Sequence, residues 1–583
     1  MPNVDHYIIP YDTIPEYLTK SKMVYEFDAA DILQSCIYPA VARSFKEAGF
    51  QWVTQFAYDP TALAYANTEY QTHYLNLAYT PSKAISILIA SKVFHKLPRL
   101  KSYGSYPADS SFDVFRVSYK ELLSEMNSEQ EFYYSNSTNS KPVNTSKLQH
   151  LAGVGNSPVV LYNGSGAYFL DKITDGVWRL EVMPDAIHIR DPFERASPKK
   201  EVTRIQWQNN SMQIMLPDLG SGFTIKAVND GNSFSTSVSG DSFQIQPGTY
   251  LLTATGKNNS SNNNSVGIIS LNEFGGPKPS STEMFLRHEP FDEVSAGKPF
   301  TIIAKVVGVD TGRVALQINR FGGGQQQRNI LMTRKSASEF TAEVPADLVV
   351  PGQLTYRIIL QKGNEFAVFP GNYKSNPFAW DNYYYETWKI FVAADKGKLK
   401  IFDPTVDRAA RIYPGFRRDF QSSYITGSEA SQLILRLNTT ELSGDHTIGF
   451  VQFFGDKLKG RITELDSFDK LVIRARTAET QPVKAKITLT NKDAFSFSAS
   501  VMLTSAFQDI SVPLNNLNPD SMLLLPRPYP GFLPLWFKAS GVASFKLPEM
   551  EKIQVTIGAD MPESEFKKTY SLEVESIWLE KSK

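Results

Sequence analysis

The residues best placed for chemistry lie near the start of the chain. Lys22-Met-Val-Tyr-Glu-Phe-Asp-Ala-Ala-Asp31 is followed by Gln51-Trp-Val-Thr-Gln-Phe-Ala-Tyr-Asp59. Each piece is a short apolar run that closes on acidic or aromatic residues. A carboxylate held at a strand end can act as nucleophile, acid or base, and rings beside it can line a pocket. Glu26 is the leading candidate, with Tyr25 and Trp52 near it.

The local pattern predicts the elements that hold these groups. Residues 23–27 read as a strand. Residues 30–49 read as a helix, with Gly49 as its stop. A second strand covers 51–57. A loop then carries Asp59-Pro60, Asn67, Glu69 and His73. The next helix has Thr80 as N-cap and Pro81 at its first position, with Ala84, Ile85, Leu88, Ile89 and Phe94 on one broad stripe. Strand, helix, strand, helix is α/β grammar. It reads like the last two units of a (β/α)8 barrel, a fold whose chemistry sits where strands end. Strands one to six of such a barrel are then missing from this chain.

After residue 100 the grammar changes to short alternating strands. Residues 101–275 read as an antiparallel β domain, with one strand over 111–119 and mobile loops over 136–147 and 257–265. Residues 277–282 read as a linker. Residues 283–395 have the size of an immunoglobulin-like sandwich. Its cluster at 383–388 reads as packing between domains. Residues 396–583 suit a jelly-roll sandwich. The fold class is therefore mainly β and multidomain, opened by a partial barrel segment over 1–100.

Composition narrows the function classes. Lys plus Arg and Asp plus Glu are 60 each, so no global field attracts nucleic acid or an acidic membrane. The single cysteine, Cys36, excludes an intrachain disulfide. No secretory signal stands at the start, and the longest apolar helix candidate, 84–94, is too short to span a bilayer. The seven histidines are scattered, with no His-Glu-x-x-His, and one cysteine cannot build a Cys-based zinc site. Phe321-Gly-Gly-Gly324 lacks the ending of a phosphate loop and reads as a hairpin loop.

Half a barrel trailed by β-sandwiches is the layout of many bacterial polysaccharide-degrading enzymes. Val24-Tyr25-Glu26-Phe27, Trp52 to Tyr58, and the run from Asn67 to Ala84 resemble the C-terminal part of a retaining clan-A glycoside hydrolase of Bacteroidetes-like bacteria. The resemblance covers roughly the first hundred residues. It implies that Glu26 is the nucleophile closing strand seven, and that Tyr25, Trp52, Glu69 and His73 approach the sugar. Retaining hydrolysis needs two carboxyl groups about 5–5.5 Å apart. In clan A the acid/base Glu lies on strand four, which has no position here, and Asp28, Asp31 and Asp59 do not take its place. The bland reading of Glu26 is a strand-end carboxylate in a salt bridge.

The last sandwich resembles a galactose-binding-type carbohydrate module through its strand layout and its closing Tyr570-Ser-Leu-Glu-Val-Glu-Ser-Ile-Trp-Leu579. That resemblance points to Tyr413, Phe416, Gln452, Arg474, Arg476 and Trp536 as glycan contacts, although sandwich cores need aromatics and strand arginines are normally solvated. Such modules often hold a structural calcium, for which Asp403 and Glu575 are the candidates; no cofactor is expected for catalysis. The implied partners are a polysaccharide or oligosaccharide and the missing barrel segment or a partner chain. The implied location is periplasmic, cell-surface or extracellular. Two functions compete: an enzyme portion, inactive without its missing half, and a noncatalytic carbohydrate-binding or surface-assembly protein.

Overall fold

The computed structural model describes every residue except 1–8, 10, 29–31, 70–72, 107, 240–241, 258–264, 310, 321–325, 416–417, 428, 443–445, 526–535, 540, 559 and 583. The chain opens with strand β1 (Lys22–Phe27), helix α1 (Tyr38–Glu47), strand β2 (Phe50–Gln55) and helix α2 (Pro81–Lys96). β1 and β2 pair in parallel and form a sheet of two strands. Elsewhere the described chain is almost entirely β.

Local differences from the sequence reading have local causes. The helix read over 30–49 is a 3-10 run, Ile32–Ile37, that passes into α1. Pro39 lacks an N–H and fits only the first turn of an α-helix, so α1 starts at Tyr38. Gly49 follows with φ +86°, a left-handed stop. Pro81 opens α2, but the Thr80 hydroxyl does not cap it. That hydroxyl turns back and donates to the Asn76 carbonyl at 2.9 Å. The strand read over 111–119 is a hairpin, Ser111–Phe112 and Phe115–Ser118, turned at Asp113 with φ +53°. The loop over 136–147 is pinned. Asn127 donates to the Lys141 carbonyl at 2.8 Å and accepts from the Val143 N–H at 3.0 Å, and Thr138 donates to Glu125 at 2.6 Å. The glycine run at 321–324 and most of the loop at 257–265 lie outside the described residues.

A ten-stranded sheet spans residues 111–254, antiparallel except where Glu131–Tyr134 runs beside His150–Gly153. One part of it packs on its own three-stranded partner sheet, in a core with Trp178, Tyr168 and Met212. The other part packs on the two helices. There Ile85, Ile89 and Val93 of α2 share one core with Phe115, Met126 and Tyr133 of the sheet. Lys92 and Lys96 close the rim on Glu131 at 2.5 and 3.1 Å. The change of grammar near residue 100 is therefore not a break in the core.

The stretch read as an immunoglobulin-like sandwich has sheets of four and six strands around Leu316, Tyr356 and Ile358. The last domain packs two six-stranded sheets face to face around Phe450, Ile487 and Ile577. Arg461 joins these two domains and is wholly buried. It pairs with Glu293 and Glu464 and donates to the Gly397 and Lys398 carbonyls at 2.9 and 3.0 Å. Burial pushes the Glu464 carboxyl up, but hydrogen bonds from Arg461, Lys581 and Ser295 outweigh it and pull it down to about 2. Arg461→Ala removes the cation from half-buried Glu293 and should lower stability by about 3–5 kcal/mol, as breaking a buried pair does. Urea unfolding measures this; a loss under ~1 kcal/mol contradicts the role given to Arg461.

Candidate active site and binding surfaces

β1 and β2 carry the first candidates. Their register sets Met23 opposite Trp52 and Val24 opposite Val53, with an irregularity between Val24 and Phe27. That irregularity turns Phe27 inward, against Phe45 and Tyr38, and leaves both Tyr25 and Glu26 outside. Tyr25 is 79% exposed and Trp52 64% exposed. The Trp52 indole N–H donates to Thr54 at 2.9 Å, so its ring has a fixed neighbour. Glu26 is exposed at the carboxyl end of β1 and forms no hydrogen bond or ion pair among the described residues. It is not the salt-bridged carboxylate of the bland reading.

Behind Glu26 lies a buried polar network. Asp28 pairs with Lys83 of α2 at 3.2 Å, both side chains being almost fully buried. The Tyr38 hydroxyl also donates to Asp28, and the Gln55 amide approaches it at 3.4 Å. Lys83 donates in addition to the His73 carbonyl. The network ties the end of β1 to both helices and to the loop that carries His73. The His73 ring meets Phe56 edge-on at 5.3 Å. Burial lowers its pKa, with the Asp28 and Glu26 charges opposing and Lys83 assisting, so the imidazole is neutral near pH 7. Glu69 is exposed nearby on the same loop.

Asp59 is the residue whose behaviour sequence reasoning missed. It is buried, and its carboxylate accepts the Leu75 N–H at 2.7 Å. Burial raises its pKa to about 6, with the hydrogen bond and Lys83 opposing. Neither Asp28 nor Asp59 presents a carboxyl to solvent, so neither stands ready as the second carboxylate of a hydrolytic pair.

The candidates on the last sandwich divide sharply. Arg474 pairs with Glu575 at 2.9 Å and Asp509 at 3.0 Å. Arg476 and Arg436 share the buried Glu573 at 2.7 and 2.6 Å, and the Phe507 ring lies under Arg476 at 4.6 Å. This is an ion-pair ladder across one sheet, and its arginines are engaged within the chain. Asp403 pairs with Lys400 at 2.9 Å and accepts the Thr405 N–H at 3.0 Å. Among the described residues no group of three acidic, His or Cys side chains could hold a metal ion. Tyr413 is buried and offers no ring face to a ligand. Phe416 lies outside the described residues. Gln452 is buried, donates to the Phe453 carbonyl at 2.8 Å, and keeps its Oε1 without a partner.

Trp536 stands apart from these. It is half-buried, and the Lys486 ammonium lies 5.7 Å from its ring centre. Lys486 bridges Asp520 at 2.9 Å and Asp560 at 2.5 Å. These three charges line an open groove of about 590 Å³ with Ser498, Ser500 and Asn518. Sequence reasoning passed over this groove. Its signal was present as polar residues on alternate strand positions: Lys484, Lys486, Thr488 and Thr490, then Ser496, Ser498 and Ser500. A second groove of about 830 Å³, lined by Ile412, Arg418 and Gln421, lies beside Tyr413.

No known family matches the sequence, and no curated protein does. Among solved structures, the chain is similar to the family 11 carbohydrate-binding module of a cellulosomal cellulase of Clostridium thermocellum. That match has 12% identity, a TM-score of 0.22, and covers 32% of this chain and 94% of the module. An exo-β-agarase matches at 11% identity and a TM-score of 0.21, over 32% of this chain and 25% of the agarase. A family 30 carbohydrate-binding module matches at 10% identity and a TM-score of 0.21, over 32% and 89% of the two chains. The chain thus spans a quarter of the agarase and nearly all of each module. No helix among the described residues is long and apolar enough to cross a membrane.

Two predictions follow from the network behind Glu26. Lys83→Met strands the buried Asp28 charge and should cost about 3–5 kcal/mol in equilibrium unfolding; an unchanged midpoint refutes the pairing. The second concerns pH. A raised carboxyl pKa means that the folded chain binds the Asp59 proton more tightly than the unfolded chain. Stability from this group is full below pH ~4 and is lost as pH rises to about 6. The span is up to ~3 kcal/mol. Thermal melts of Asp59→Asn should show a flatter profile between pH 4 and 6.5 than the parent, and parallel profiles would exclude Asp59 as the source.

Proposed function

We propose that this chain is the C-terminal portion of a polysaccharide-degrading retaining glycoside hydrolase, with Glu26 as its nucleophile. The observation that carries this reading is Glu26 itself: an exposed carboxylate without a counter-ion among the described residues, at the carboxyl end of a parallel strand next to exposed Tyr25, with exposed Trp52 further down the pair opposite Met23. A nucleophile of this kind must be ionised and open to the anomeric carbon. The buried Asp28–Lys83 pair supports the strand end without neutralising Glu26. Neutral His73 is suited to hydrogen-bonding a sugar hydroxyl. The exposed ring-bearing face of β1 and β2 becomes the lining of a barrel once further strands close over it.

The acid/base carboxyl then comes from that further segment, supplied upstream or by a partner chain, and this chain alone is inactive. The groove at Lys486 and Trp536 serves as a glycan-binding surface in the trailing sandwich. Such an enzyme works outside the bacterial cytoplasm, in the periplasm, on the surface or beyond. The same groove favours a second reading, a noncatalytic polysaccharide-binding protein, because it needs no missing half.

The two readings separate in one experiment. The chain alone should leave aryl glycosides and polysaccharides intact. Joined to the coding segment upstream of residue 1, it should hydrolyse them with retention at the anomeric carbon. Glu26→Gln should then lower kcat by about 10⁴-fold or more, the scale of losing a nucleophile. Hydrolysis by the joined protein that survives Glu26→Gln removes Glu26 from the mechanism, and no hydrolysis at all favours the binding protein.

A further inference from the structure

The immunoglobulin-like sandwich carries a second set of exposed rings, on a different domain from Glu26. Residues 374–387 connect the strand Glu365–Phe369 to the strand Trp388–Ala393 with no regular structure of their own. The 383–388 cluster does not pack between domains, as its composition suggested. Trp388 turns into the sandwich core, 5.3 Å from Tyr356 and 4.9 Å from His288. Tyr383 and Tyr385 point to solvent, with Phe378 and with Trp380, which is 98% exposed. So much ring surface on one short connection is unusual for a surface that meets only water.

The tyrosines among these rings are held in place. Tyr384 stacks on Tyr373 at 3.9 Å and 19°, and Tyr383 packs on Tyr384 at 4.3 Å. Two successive turns fold the tip, with the Ala379 N–H donating to the Asn376 carbonyl at 3.2 Å and the Asn382 N–H to the Ala379 carbonyl at 3.1 Å. Trp380 sits within the second turn. The Tyr385 hydroxyl donates to the Asn382 carbonyl at 3.3 Å. Tyrosines ordered before binding lose little entropy when a ligand arrives, while Trp380 is set only through its backbone turn.

We infer that residues 376–385 form a stacking platform for a neutral polysaccharide chain, separate from the Glu26 site. The chemistry selects this ligand. Sugar rings present C–H faces flanked by hydroxyls, and here flat rings stand beside exposed Asp381 and phenol groups of the kind that bond hydroxyls. Charge argues against a polyanion: the connection holds Lys374 against Asp381 and Glu386, and Lys374 is paired with Glu283 at 2.8 Å. A lipid surface would favour a basic rim, which the connection lacks. The choice of polysaccharide over other neutral partners rests on the reading under Proposed function.

The test is retention of the full chain on a panel of insoluble neutral polysaccharides: agarose, cellulose, xylan and mannan. The parent should be retained by at least one. Trp380→Ala and Tyr383→Ala should each lower the bound-to-free ratio there by roughly tenfold, the loss of one stacked ring. Both side chains are exposed, so their circular dichroism and melting should match the parent. Retention is read without turnover, so the result stands even if Glu26 proves to have no chemical role. No retention on any member, or retention unchanged in both variants, overturns the inference. So does self-association or binding to phosphatidylcholine vesicles that the variants abolish, since each names a different occupant.

Discussion

Two helices and two parallel strands cannot stand alone in water, and the rest of the structure follows from how that problem is met. α2 is apolar on more than one side, so it needs cover on more than one side. α1 and the strand pair supply one cover, and the ten-stranded sheet supplies the other through Phe115, Met126 and Tyr133. Burying Ile85, Ile89 and Val93 contributes about 1.5–3 kcal/mol each. This shared core joins the opening segment to the β domain. It seals the helices but not the outer face of β1 and β2, where Met23, Tyr25 and Trp52 remain exposed. The surface left open is therefore the strand face beside Glu26.

Much of this was legible in the residues, and what was not has physical reasons. Pro81 and the spacing of Ile85 and Ile89 announced α2, because the helical period survives any tertiary setting. Gly49 marked the end of α1, but Pro39 was overlooked as the point where the α-helix must begin. The strands that carry Glu26 and Trp52 were legible from their short apolar runs. The exposure of those residues was not, since it depends on a bulge between Val24 and Phe27 that no periodicity encodes. The Arg474 and Arg476 positions were candidate contacts through the resemblance to a carbohydrate-binding module. Only the register with Glu573 and Glu575 on the neighbouring strand reveals an ion-pair ladder. Asp59 likewise needed three dimensions, because burial by distant residues raises its carboxyl.

The distribution of satisfied and unsatisfied groups says what kind of ligand this chain suits. Several of its arginines and one buried lysine are engaged within the chain: Arg461 between two domains, Arg436, Arg474 and Arg476 on the ladder, and Lys83 on Asp28. What remains open at the two exposed ring sets is Tyr25 and Trp52 on the strand pair, and Trp380 with Tyr383 on the connection before Trp388. Rings with few free charges bind through dispersion and C–H contact, with hydrogen bonds setting orientation. Such contacts are weak singly and gain by repetition along one chain. Under the proposed function, a neutral polymer with flat repeating faces meets that requirement, because each ring set would hold a different stretch of it.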